Sequence, residues 1–238
     1  MEIQSWMADL SARLQDAFGG RLLFLGLQGS QGRGEAGPDS DIDLVAVLDS
    51  LSPEDLDRYK AVLENMPEGE LACGFVCGKA QLTAWPAYDL LTLMLDTKPF
   101  LGDLRAFIPL PGRQAALEAV RIGAANLYHG LCHGRLFSDA GFLESCHKAA
   151  FFLLRSIWYL ETGAWPPTGR SLEMALAAAG EDTAGRILGR YRRGIPAGDE
   201  EEAFRELLEW AGGLLPYYKE EKALPAEEEK EDGHALSL

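Results

Sequence analysis

Gly29-Ser30-Gln31-Gly32-Arg33-Gly34-Glu35-Ala36-Gly37-Pro38-Asp39-Ser40-Asp41-Ile42-Asp43-Leu44 is the stretch around which the rest of the chain can be read. A nearly continuous apolar run, Leu22 to Leu27, precedes it, and a second, Ile42 to Leu48, continues from it. Such runs are the pattern of strands buried on both faces. Between them, Gln28 to Asp41 carry a single apolar side chain, Ala36, among glycines, serines and charges. Glycines let backbone N–H groups approach an anion closely, and Ser30 adds a hydroxyl donor. Alternate residues of a strand share a face, so Asp41 and Asp43 point the same way while Ile42 is directed into the core. Two carboxylates so close repel each other unless something offsets their charge. Magnesium does this well, because it takes one or two carboxylates together with phosphate oxygens. Asp-x-Asp alone also occurs as two solvated acids at a strand start. The joint pattern of strand, Gly-Ser, ten residues, Asp-x-Asp and strand points to a nucleoside triphosphate site.

Working outward, Ile3, Trp6, Met7, Leu10, Leu14 and Phe18 recur at three- and four-residue steps and predict a helix stopped by Gly19-Gly20. Ser52-Pro53-Glu54-Asp55 opens a helix to about residue 65, with Ser at the cap, Pro in the first turn and acids at the positive end of the helix dipole. Residues 71–76 read as a third strand and 89–95 as a further helix or strand. From Arg113 the period becomes helical. Leu117, Val120, Ala124, Leu127 and Leu131 form one stripe, and Leu143, Cys146, Ala150, Leu153, Ile157 and Leu160 a second. Shorter helices are expected over 171–179, 183–193 and 200–215. The expected fold is therefore α+β: a small mixed-sheet domain over 1–108, an all-α helical bundle over 113–218, and an acidic, disordered tail over 219–238.

The 238 residues are 47% hydrophobic and 25% charged, the composition of a folded globular chain. Thirty-seven acids against 22 bases give a net charge of −15, which argues against a general nucleic-acid binder. An acidic surface also suits a cationic small molecule, and Glu118, Glu144, Glu161 and Glu173 are candidates to face one. No apolar run reaches the roughly 18 residues a membrane helix needs. Met1-Glu2-Ile3-Gln4-Ser5-Trp6 lacks the basic start and apolar core of a signal peptide, and four cysteines suggest a reducing compartment. The expectation is a cytoplasmic protein with no membrane partner.

Gly29-Ser30-x10-Asp41-x-Asp43, with Arg33-Gly34-x-Ala36 and Ser40 inside it, resembles the signature of the nucleotidyltransferase superfamily that includes DNA polymerase beta and the antibiotic nucleotidyltransferases. The bundle is similar, more weakly, to the streptomycin and spectinomycin adenylyltransferases through Ser156-Ile157-Trp158-Tyr159-x-x-x-Gly163 and Pro167. Asp89-Leu90-Leu91-x-Leu93 followed by Pro99-Phe100-Leu101-Gly102 is similar to them as well. The resemblance implies transfer of AMP, or another nucleoside monophosphate, from ATP or another triphosphate to a hydroxyl of a small, aminoglycoside-like acceptor, with release of pyrophosphate. A nucleotidyltransferase-like module that modifies or binds a protein partner, as in a toxin–antitoxin or regulatory pair, is the alternative.

Within that resemblance Asp41 and Asp43 would hold Mg²⁺, and Gly29 and Ser30 the terminal phosphates. Arg33 and Ser40 could add nucleotide contacts, although a loop arginine is also an ordinary solvated side chain. Arg170, after Trp165-Pro166-Pro167-Thr168-Gly169, stands near where similar enzymes place a triphosphate-binding lysine. The family normally carries a third carboxylate. A right-handed crossover makes the third strand parallel to the second, which puts that acid near the third strand's start. Glu70 fits this place, while Cys73-Gly74-Phe75-Val76 offers no acid, and Asp89 and Asp96 are the other candidates. His129 and His133 lie four apart on a helix but lack an evident third ligand. Trp158 and Tyr159 read as bundle core.

Overall fold

The computed structural model describes residues 2–37, 40–138 and 141–219. Pro38 and Asp39 of the central loop lie outside these residues, as does the expected tail beyond Lys219.

Helix α1 spans Ile3–Phe18, and its first turn is capped by the Glu2 carboxylate, which accepts from the Gln4 and Ser5 N–H groups. It ends at Gly19, whose φ of 57° favours a residue without a side chain. Strand β1 (Leu22–Leu27) follows and runs into α2 (Gly29–Arg33), a one-turn helix where the sequence suggested only loop. Next come β2 (Ile42–Leu48), α3 (Pro53–Glu64), β3 (Ala72–Gly78), α4 (Lys79–Thr83), α5 (Ala87–Asp96) and β4 (Lys98–Leu101). Ser52 and Asp55 form a reciprocal capping box at the start of α3, as the Ser-Pro-Glu-Asp pattern predicts.

The four strands are ordered β3-β2-β1-β4. β1 pairs antiparallel with β2 and β4, whereas β2 and β3 run parallel, as the crossover argument requires. In that parallel register Asp43 lies opposite Cys73, and Ile42 opposite Ala72. Strand alternation divides β2 cleanly. Ile42, Leu44, Ala46 and Leu48 join Met7, Leu10 and Leu14 in one apolar layer. Val45 and Val47 face the opposite layer with Phe24, Cys77, Leu82 and Leu90. Asp43 is on the Val45 face, at the end where that layer stops.

Helices α6 (Arg113–Phe137), α7 (Phe142–Thr162), α8 (Gly169–Ala179), α9 (Asp182–Arg193) and α10 (Glu200–Lys219) form the bundle. Both expected stripes are inside it: Val120, Ala124, Leu127 and Leu131 pack in one cluster with Ala150, Leu153 and Leu160. Trp158 and Tyr159 pack partly buried against that cluster. The last helix continues through Pro216, four residues beyond the expected end.

Helix α5 joins the two halves. Leu90 belongs to the sheet's apolar layer, while its neighbour Leu91 is fully buried in the bundle cluster. Burying a leucine is worth roughly 1.5–3 kcal/mol, so adjacent residues on one helix tie it to both sides. Among the described residues, no helix is long and apolar enough to cross a membrane.

Candidate active site

The turn from β1 into α2 is held against the start of β2. Gln28 N–H donates to the Asp43 carbonyl at 2.8 Å. Gln28 Nε2 reaches the Thr92 carbonyl of α5 at 3.4 Å. Gly29 has a φ of 65°, and a Cβ there would collide with the Asp43 carboxylate. This position therefore demands glycine for two reasons, backbone conformation and the close approach of Asp43.

Gly29, Ser30, Ser40, Asp41 and Asp43 all line one cleft of about 650 Å³. Its opposite wall comes from α5 and the bundle, with Thr92, Lys148, Phe152 and Tyr191. Neither Asp41 nor Asp43 forms an ion pair among the described residues. The Cys73 thiol donates to Asp43 Oδ1 at 3.3 Å. Burial, then the Asp43 hydrogen bond and the charges of Asp43 and Asp41, push that thiol up to about 11, so it is neutral at pH 7. Tyr191 is likewise raised by burial and stays a neutral phenol.

Arg33, read from sequence as a nucleotide contact or a solvated loop residue, is not solvated, and it lines the cleft beside Ser30. It is buried, its Nη1 donating to Asp96 Oδ2 at 2.8 Å and its Nε to Glu35 Oε2 at 3.2 Å. The other Asp96 oxygen accepts from Arg155 Nη2 of α7 at 2.5 Å. Arg155 also donates to the Pro166 carbonyl and lies 4.4 Å from the Trp165 ring centroid. Glu35 in turn accepts from the Gly169 N–H of α8 at 2.9 Å. With side-chain exposures of 5% for Arg33, 3% for Asp96 and 0% for Arg155, these charges are removed from water and committed to one another. Asp96, which also lines the cleft, thus has both oxygens held by arginines, and α2 is clamped to the bundle.

The remaining sequence candidates divide. Ser40 lines the cleft and accepts from the Gly37 N–H at 2.8 Å. Glu70 is exposed in the short turn ahead of β3 and does not line the cleft; Cys73 holds the place beside Asp43. Arg170 is exposed on α8 and outside the lining. Its neighbour Gly169 instead borders a recess of about 390 Å³ with Ser30, Arg33, Glu35, Tyr191 and Arg192. Asp89 accepts from Trp85 Nε1 at 3.0 Å and lines an adjoining groove, not the cleft itself. Of the four glutamates considered for a cationic acceptor, none lines the cleft. Glu173 is paired with Arg192 and Arg193, Glu161 accepts from Tyr218, and Glu118 and Glu144 are exposed.

His129 and His133 lie with ring centroids 6.0 Å apart on α6, and among the described residues no three His, Cys, Asp or Glu side chains cluster as a metal-holding group. The donor set in the cleft is instead a carboxylate pair, which fits a hard divalent cation whose shell is completed by phosphate oxygens. Sequence reasoning missed Lys148, Tyr191, Arg192 and the Arg155–Asp96 pair. Only Arg155 carried a signal, a charge directly after Phe151-Phe152-Leu153-Leu154 in an apolar stripe.

Residues 9–99 match the family model of the nucleotidyltransferase domain. The fold is similar to that of spectinomycin adenyltransferase AAD(9) from Enterococcus faecialis, solved with ATP and spectinomycin, at a TM-score of 0.59 and 14% identity over 90% of this chain and 99% of that one. No curated protein matches the chain in sequence. The likeness to a nucleotidyltransferase domain is thus carried by residues 9–99, in a chain whose overall fold is similar to that of an adenyltransferase.

Proposed function

We propose that the cleft binds a magnesium-bound nucleoside triphosphate, ATP in the first instance, and transfers its nucleoside monophosphate to a hydroxyl of a small acceptor. The observation that carries this reading is the packing of Asp43 directly over Gly29, with Asp41 and Ser30 lining the same cleft. Asp41 and Asp43 would hold the metal, and its charge would offset that on the phosphates. Gly29 leaves its backbone accessible to the terminal phosphates, and the Ser30 hydroxyl donates to them. Lys148 supplies positive charge from the bundle side, a role the sequence had suggested for Arg170.

In the reaction the acceptor oxygen attacks the α-phosphorus, the bond from that phosphorus to the bridging oxygen breaks, and pyrophosphate leaves. The oxygen's proton passes to a carboxylate that lines the cleft, Asp41 or Asp43, while Asp96 is committed to two arginines. Catalysis then rests on positioning and charge neutralisation, the main sources of rate in phosphoryl-type transfer. Pyrophosphate release with ATP, Mg²⁺ and a panel of hydroxylated acceptors tests the reading. Absence of Mg-ATP binding together with absence of release would end it.

A further inference from the structure

A groove of about 490 Å³ between α5, α6 and α7 joins the cleft through Thr92 and Phe152. The recess beside Gly169 joins the cleft through other residues, Ser30 and Arg33. A ligand spanning the cleft thus has two distinct exits. Small residues on α6, Ala119, Gly123 and Gly130, leave the space that the groove occupies, and Ile122 and Phe152 give it apolar walls. Its polar residues are neutral, Tyr88, Thr92, Asn126, Ser145 and Ser156, except for Asp89, the single charged residue among those that line it. Trp85 Nε1 binds Asp89 Oδ2, which orients the carboxylate. At the junction Lys148 lines the cleft three residues along α7 from Ser145, which lines the groove.

We propose that this groove is the acceptor subsite and that it selects a hydroxylated molecule with one apolar face and at most one positive charge. The proposal rests on the transferase reading and narrows its substrate class. The groove offers one carboxylate, Asp89, to one ammonium of the acceptor, and no second acid lines it. A further ammonium would find no acid in the groove and, at the cleft side, the like charge of Lys148. The net charge of −15, which invites a polyamine acceptor, is a property of the surface and not of this groove.

The test uses the full chain with Mg-ATP and three probes: inositol, an inosamine with one amine, and kanamycin as a polyamine. Binding of Mg-ATP by calorimetry is measured first, and its failure would count against the transferase reading alone. With Mg-ATP bound, the inosamine and inositol are expected to bind and stimulate pyrophosphate release, and kanamycin is not. Asn126→Trp, at an exposed position lining the groove, should reduce that stimulation about tenfold or more while leaving ATP affinity within about twofold. Asp89→Asn should raise the inosamine KM by about tenfold and leave that of inositol unchanged. Binding of none of the probes, stimulation by kanamycin, or an unaffected Asn126→Trp variant would overturn the proposal. So would loss of ATP affinity in Asn126→Trp, which would assign the groove to the nucleobase.

Discussion

Asp43 and Cys73 are register partners across the parallel β2–β3 pair, and the thiol donates its hydrogen bond to Asp43 Oδ1. Register partners on adjacent strands project from the same face, so position 73 is where the sheet could add a third carboxylate to the pair. The chain has placed a neutral group there. Cys73→Asp should therefore create a site that depends on metal. Like-charge repulsion should cost roughly 0.2–1 kcal/mol in EDTA, and Mg²⁺ should recover the loss. Thermal melts with and without Mg²⁺ measure both; a Tm that is unchanged in EDTA would mean that residue 73 does not face Asp43.

Asp43→Asn replaces a carboxylate by an amide of nearly the same shape. The fold should persist, because the glycine beneath it still provides room. Transfer should fall by about 10²–10³-fold, and Mg²⁺-dependent nucleotide binding should weaken with it. Pyrophosphate release and calorimetry follow the two effects, and a near-normal rate would remove Asp43 from the chemistry.

Two of the acids weighed as a third carboxylate, Asp96 and Glu70, should separate by what they break. Asp96→Asn leaves the buried Arg155 guanidinium without a counter-charge and Arg33 with Glu35 alone, and unfolding in urea should show a loss of about 3–5 kcal/mol. Glu70→Gln, in an exposed turn, should alter neither stability nor transfer rate appreciably. A large drop in rate with unchanged stability for Glu70→Gln would show that the turn closes onto the cleft during turnover.

Local patterns explain what could be read in advance. Leu22–Leu27 and Ile42–Leu48 are apolar throughout because both faces of their sheet are covered, and the bundle stripes announce themselves by their period. Helix α2 was hidden because Gly29-Ser30-Gln31-Gly32-Arg33 is a single turn with two glycines, poor helix formers held by contacts made elsewhere. Strand β4 was hidden because Lys98-Pro99-Phe100-Leu101 is short, sits at the sheet edge and contains a proline. The cleft's aspartates were legible through spacing within one segment. Its far wall was not, since Asp96 and Arg155 are 59 residues apart and meet only through packing. Net charge misled about the glutamates because it records how many acids there are and nothing of where they face.

His147 gives the bundle a predictable response to acid. Its side chain is buried, its Nδ1 is 2.9 Å from the Leu143 carbonyl, and its Nε2 has no partner among the described residues. Burial lowers its pKa below the ordinary 6.5, opposed by the Leu143 carbonyl and by Glu144 and Glu206 and reinforced by Arg190. The neutral ring therefore donates from Nδ1. A folded pKa below the unfolded one means that the unfolded chain binds the proton more readily. Stability is then fully present above about pH 6.5, falls as the pH drops toward the folded pKa, and levels off below it. His147→Leu removes the titrating group and should flatten this part of the curve. Urea midpoints of both proteins between about pH 7 and about pH 5.5 provide the comparison. Equal slopes in the two would show that the ring is hydrated or already charged in the folded state.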